Sequence, residues 1–304
     1  VDTKTKEEEI SGESATSEEK TINLTIQEDK NKGFFGKAMA GYGSDERYES
    51  SLLLNWFKGE QKVSVLASAN NINSVGFSMN EIFDNMGGGR NSSVYYSDDG
   101  SFGINGMTFG GSNGITTSNL VGLNYVDKWF KKVDMSSNYF FTNAETDNVN
   151  RTSSTNLLPT GTTYTEADAN SNRIGNSHNV SFDFEMKLDS TATIYMSPKI
   201  AKSFNKDKYK SKQETTSASD ELLNESLSDT YTETDNIAFE NNLYFYKSFK
   251  KKNRGMTISV DNEHKKTDLF SKNNSATLFY QSADPNDIRN QNQFAENKFN
   301  KMGT

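Results

Sequence analysis

The stretch Asn179-Val-Ser-Phe-Asp-Phe-Glu-Met-Lys-Leu188 alternates between apolar and polar residues without a break. Successive side chains of a strand point to opposite faces, so Val180, Phe182, Phe184, Met186 and Leu188 share one face. Asn179, Ser181, Asp183, Glu185 and Lys187 take the other. The pattern recurs at Tyr48 to Phe57 (Tyr48, Leu52, Leu54, Trp56), Lys62 to Asn70 (Val63, Val65, Ala67, Ala69) and Asn119 to Tyr125 (Val121, Leu123, Tyr125). It continues at Val133 to Phe141, Ala192 to Ile200, Ile237 to Phe249 and Met256 to Asn262. With Gly33 to Gly43 in front and Ser275 to Tyr280 behind, this predicts roughly ten strands, many near the ~9–11 residues of a tilted membrane strand.

The connections sharpen that reading. Lys58 to Gln61, Asp127 to Lys132, Leu188 to Thr191 and Lys250 to Arg254 are short turns, whereas Asn71 to Ser118, Asn143 to Asn172 and Asn205 to Thr234 read as long polar loops. Structureless loops beyond about 15 residues are uncommon in compact soluble domains. Membrane barrels place short turns on the periplasmic side and long loops outside. The expected fold is therefore all-β: a partial antiparallel transmembrane β-barrel with short periplasmic turns and long extracellular loops.

Composition agrees. Only 33% of the 304 residues are hydrophobic, with a mean hydropathy of -0.80, so a conventional core is poorly supplied. The 20 Phe, 13 Tyr and 3 Pro argue against both disorder and a helical protein. A net charge of -8 without a basic stripe speaks against nucleic acid as a partner. Zero cysteines exclude disulfides and cysteine-based zinc or thiol chemistry, and no run of 18 apolar residues provides a transmembrane helix. Val1 is neither an initiator Met nor the start of a signal peptide, so the chain reads as a fragment or processed product.

Aromatic residues mark the short turns. Trp56 and Phe57, Trp129 and Phe130, and Tyr244 and Phe249 fall there, as in a girdle at headgroup depth. Lys58, Lys62, Lys128, Lys131, Lys132, Lys250 to Lys252 and Arg254 stand beside them, positioned to snorkel, although Lys is also simply a good turn residue.

The segment Lys20-Thr-Ile-Asn-Leu-Thr-Ile-Gln-Glu-Asp-Lys-Asn-Lys-Gly-Phe-Phe-Gly-Lys37, followed by Ala40-Gly-Tyr-Gly-Ser-Asp-Glu-Arg-Tyr-Glu49 and Val65-Leu-Ala-Ser-Ala-Asn-Asn-Ile-Asn73, resembles TonB-dependent receptors and related outer-membrane β-barrel proteins of Bacteroidetes. The resemblance implies a periplasmic linker and last plug-like strand over residues 1–32, and the N-terminal part of the barrel over 33–304. It implies contact with outer-membrane lipid, a TonB-type energy-coupling protein acting through a plug outside this chain, and uptake of a nutrient. The chain departs from the family in ending Phe299-Asn-Lys-Met-Gly-Thr304 without a terminal aromatic, and such barrels have about twice as many strands. A non-transporting scaffold or adhesin, and a soluble all-β surface module, remain as alternatives.

Few motifs point to chemistry, and no catalytic residue, metal site or cofactor is expected. Met86-Gly-Gly-Gly-Arg90 lacks the Gly-Lys-Ser/Thr ending of a phosphate loop and reads as a foldback in an outer loop. His178 and His264 lack acidic partners at metal-ligand spacing. Asp98-Asp99 beside Asn91 and Ser97 offers oxygen ligands, yet the spacing fits no EF-hand loop. Tyr95, Tyr96, Phe102 and Phe109 in the first long loop suit stacking on a sugar or clasping a peptide, or else packing of the loop on its neighbours.

Overall fold

The computed structural model describes residues 32–85, 94–96, 102–104, 107–109, 114–251, 254–280 and 286–303. The plug-like strand expected within residues 1–32, the Met86 to Arg90 turn and the Asp98-Asp99 pair fall on residues not described. The described chain is all-β apart from one short helix. Its strands are β1 (Lys32–Tyr42), β2 (Tyr48–Lys58), β3 (Gln61–Asn70), β4 (Val94–Tyr96), β5 (Phe102–Ile104), β6 (Met107–Phe109) and β7 (Ile115–Trp129). Then follow β8 (Val133–Leu158), β9 (Gly161–Asp189), β10 (Ala192–Ser217), β11 (Leu222–Ser248), β12 (Gly255–Phe279) and β13 (Asp287–Gly303).

Ten strands form one antiparallel sheet in the order β1-β2-β3-β7-β8-β9-β10-β11-β12-β13, and β4-β5-β6 form a small separate one. Every ladder in the large sheet joins neighbours in chain order except β3 to β7, which spans the small sheet. β1 and β13 are not paired with each other, so the sheet is not closed.

The four expected short turns, between β2 and β3, β7 and β8, β9 and β10, and β11 and β12, gather at one end. At the other end the expectation of long loops needs correction. Asn143 to Asn172 and Asn205 to Thr234 are the far halves of two hairpins, β8–β9 and β10–β11, with strands of 26, 29, 26 and 27 residues. Pro159 and Thr160 alone separate β8 from β9. Met256 to Asn262 and Ser275 to Phe279 belong to one strand, β12, with Tyr280 just past its end, and β13 is an additional one.

The reason is chemical. Beyond the apolar stretch both faces of these strands are polar, so hydropathy stops alternating while the ladder continues. Cross-strand pairs sustain it: Ser226 with Thr277 and Thr232 with Ser271 at 3.2 Å, and Thr165 with Thr215 at 3.3 Å. Ion pairs Arg151–Asp168 at 2.9 Å and Lys210–Asp229 at 3.3 Å join the strands within the β8–β9 and β10–β11 hairpins.

Within Asn71 to Ser118, expected as a loop, lies helix α1 (Met79–Asn85). Ser78 and Glu81 form a capping box: the Ser78 N–H donates to Glu81 at 2.9 Å and the Glu81 N–H donates to Ser78 Oγ at 3.3 Å. Phe77 and Ile82 then pack with Leu53, Leu66, Leu120 and Phe140 in the one buried apolar cluster of the described residues.

Candidate functional site

The two faces of the sheet are most easily compared along adjacent rows. On one face, here the band face, Leu54, Val65, Leu123, Tyr139, Val180, Ile200 and Phe239 stand directly across from one another from β2 to β11. One residue away, on the reverse face, the row reads Asn55, Ser64, Asn124, Asn138, Ser181, Lys199, Glu240, Glu263 and Lys301. In these rows the polar side chains of β3, β7 and β8 are the more deeply buried. Ser64 is 0%, Asn124 2% and Asn138 4% exposed, whereas Leu123 is 45%, Ile200 46% and Ile258 48% exposed.

The apolar run on the band face is short relative to the strands. It covers Val133 to Phe141 on β8, Val180 to Leu188 on β9 and Ala192 to Ile200 on β10, which is the length of a tilted membrane crossing. Past it the band face becomes charged, with Lys202, Lys206, Lys208, Lys210 and Lys212 on β10 answered by Asp235, Glu233, Asp229 and Glu225 on β11.

The reverse face combines polar side chains with the buried apolar residues Leu53, Leu66, Leu120 and Phe140. Ser64 Oγ donates to Asn55 at 2.5 Å, and Lys265 bridges the opposed carboxylates Glu240 (3.2 Å) and Glu263. A recess of about 240 Å³ opens there, lined by Glu240, Asn242, Tyr244, Asp261, Glu263 and Lys301. Across the first strands the β3–β7 connection lies on this face. Asn70, fully buried, donates to the Ser74 carbonyl at 2.6 Å and to Ser118 Oγ at 3.0 Å while accepting from the Ser74 N–H at 3.1 Å. Gly76, at φ 77°, sits where a Cβ would come within 2.8 Å of Ser68 Cβ. Lys37 pairs with Glu81, fixing α1 to β1.

The structure separates the residues singled out for a girdle. Trp56 and Trp129 belong to the band face, each 40% exposed, near the short turns. Phe130 and Phe249 occupy the turns themselves, Phe130 at φ 53° and 89% exposed. Phe57 and Tyr244 lie on the reverse face: Phe57 stacks on Phe35 at 5.6 Å, and Tyr244 lines the acidic recess. Among the loop aromatics, Tyr96, Phe102 and Phe109 fall in one cross-strand row of the small sheet, while Tyr95 stands in the neighbouring row opposite Gly103. Tyr96 is exposed and its hydroxyl meets Met79 Sδ of α1.

His178 accepts or donates one hydrogen bond with the Tyr139 hydroxyl at 2.9 Å on the band face, and His264 pairs with Asn300. Among the described residues no group of three or more His, Cys, Asp or Glu is placed to hold a metal ion. Sequence reading missed α1 and its anchors Phe77 and Ile82; the Ser78-Met-Asn-Glu81 capping box was the available signal. Set against known protein families, characterised proteins and solved structures, the chain matches none of them.

Proposed function

We propose that this chain is part of the wall of an outer-membrane β-barrel of receptor type, which binds a nutrient and admits it with energy coupled through a separate plug. The observation that carries the reading is the pair of adjacent rows: apolar and exposed or half-buried on the band face, Asn, Ser and charged on the reverse face. Lipid favours that order, because an outward apolar band and a polar interior are what a transmembrane barrel requires. The positions of Trp56 and Trp129 at one margin of the band support it. The resemblance of Lys20 to Glu49 to TonB-dependent receptors supports the transport part of the proposal. No step of covalent chemistry is assigned to the chain.

The test is insertion. Refolded into vesicles of phosphatidylcholine brominated on the acyl chains, the chain is expected to show quenched fluorescence from Trp56 and Trp129. Unquenched tryptophans in a folded chain would overturn the membrane reading. A second reading, a surface scaffold that holds a partner without transport, is favoured by the far halves of β8 to β11, which carry polar residues well beyond the apolar run. Nutrient uptake by cells carrying the parent protein separates the two.

A further inference from the structure

Above the apolar run, the band face of β10 to β13 holds a chain of aromatic rings. Phe294 and Phe270 lie 4.9 Å apart, and Phe270 meets Tyr231 edge-on at 6.1 Å. Phe294 is 77% exposed. Lys206 reaches over the Tyr231 ring at 5.2 Å, and the Tyr231 hydroxyl donates to Glu233.

The lysines around these rings differ in their partners. Lys202, Lys206, Lys210 and Lys266 each pair with a carboxylate. Lys208 and Lys272, both exposed, stand directly across from Tyr231 on its two sides, in a row that runs Asn172, Lys208, Tyr231, Lys272, Asn292. Neither has an ion-pair partner among the described residues. Two unneutralised ammonium groups therefore flank an aromatic ring that continues into an exposed aromatic surface.

Ammonium groups hold phosphate oxygens by charge-assisted hydrogen bonds, and the C–H face of a sugar ring stacks on aromatic carbon. The position adds a constraint. Tyr231 lies on the same strand and face as Phe239, eight residues past it, which is about 27 Å along the strand and roughly 19 Å of height at a ~45° tilt. At that height the reverse face carries Thr230, Thr232, Ser271 and Asn273, and its cation Arg173 is paired with Asp207 at 2.5 Å, so the two lysines without a carboxylate partner stand on the face that continues the apolar band.

We infer that Lys208, Lys272, Tyr231, Phe270 and Phe294 form a site for the phosphorylated sugar headgroup of an outer-leaflet glycolipid. The lysines take the phosphate and the rings take the sugar. The inference rests on the membrane reading for its choice of ligand, and the two are tested separately. The full chain in detergent micelles is titrated with the deacylated, phosphorylated core oligosaccharide of lipopolysaccharide, which needs no bilayer. The Lys208→Gln/Lys272→Gln double variant is expected to bind it at least tenfold more weakly, and Phe294→Ala several-fold more weakly. Removing two charges at the short-turn end, by Lys128→Gln/Lys187→Gln, is expected to leave binding unchanged. Equal binding by the wild type and the Lys208/Lys272 variant, or equal binding of the dephosphorylated oligosaccharide, overturns the site. Lysine-dependent binding by a chain that fails the brominated-lipid test overturns the assignment to a membrane glycolipid.

Discussion

Phe140 lies over Gly122, the residue directly across from it in the β7–β8 ladder: a Cβ on Gly122 would come 2.6 Å from Phe140 Cε1 and 2.9 Å from Cζ. Phe140 is fully buried in the cluster that receives Phe77 and Ile82, so the empty space above the glycine lets the ring lie flat under the β3–β7 connection. Gly122→Ala forces the ring to move and is expected to cost about 1–3 kcal/mol, as overpacking does. Phe140→Ala is expected to cost about 3–5 kcal/mol. The two residues touch, so the double variant is expected to lose less than the sum. Urea unfolding followed by tryptophan fluorescence reads this, and strictly additive losses would count against the contact.

Phe184 and Asp183 are neighbours in β9 on opposite faces. Phe184→Arg places a cation in the middle of the apolar run and is expected to cost insertion about 2–4 kcal/mol, whereas Asp183→Asn is expected to cost far less. The comparison is made by folding into phospholipid vesicles over a urea series. Equal effects would remove the distinction between the faces.

The turn that follows Leu188 contains a pH-sensitive contact. The Thr191 hydroxyl and N–H both donate to Asp189 Oδ1 at 2.7 Å, and Lys247 Nζ approaches Oδ2 at 3.1 Å. These contacts, the hydroxyl first, hold the Asp189 carboxyl well below the usual carboxylate range. A depressed folded value means that the contribution is fully present above the ordinary Asp value of about 3.9 and declines as the pH falls below it. Wild type is therefore expected to exceed Asp189→Asn in stability at pH 7, with the gap narrowing below about pH 4. A gap that stays constant down to pH 2 would refute this.

The far halves of β8 to β11 are strands, and amide exchange distinguishes them from loops. Backbone N–H groups from Asn143 to Leu158 and from Asn205 to Ser217 pair across the hairpins. Their protection is expected to approach that of the apolar run, and exchange at the rate of an open chain would contradict the ladders.

The apolar run was legible because one face had to be apolar: Val180, Phe182, Phe184 and Met186 leave no other reading at period two. The far halves were not, since Thr, Asn, Ser and Lys carry the same hydropathy sign on either face. Their trace in the sequence is a mirror of charges. Lys206 and Lys210 precede the turn near Asp220 by the same intervals at which Glu233 and Asp229 follow it, as their pairing requires. Reading for that symmetry, rather than for hydropathy, would have found the β10–β11 hairpin. The aromatic residues near the turns stand close together in the sequence, but type and position alone do not assign faces. Phe57 follows Trp56 by one residue and so lies on the other side of the sheet. Tyr231, Phe270 and Phe294 escaped notice because they are far apart in sequence and meet only through the β11–β12–β13 register.

A sheet whose ladders almost all join consecutive strands keeps the loops that its pairings close short. With Pro159 and Thr160 holding Leu158 against Gly161, each further pair down β8 and β9 closes only a slightly longer loop than the last, so pairing from the tip carries the lowest loop-closure cost. The same argument holds for each consecutive pair from β9 to β13. The β3–β7 ladder breaks this sequence, since it must span the small sheet and α1 before it forms. The Asn70–Ser118 hydrogen bond is the clasp that fastens that seam.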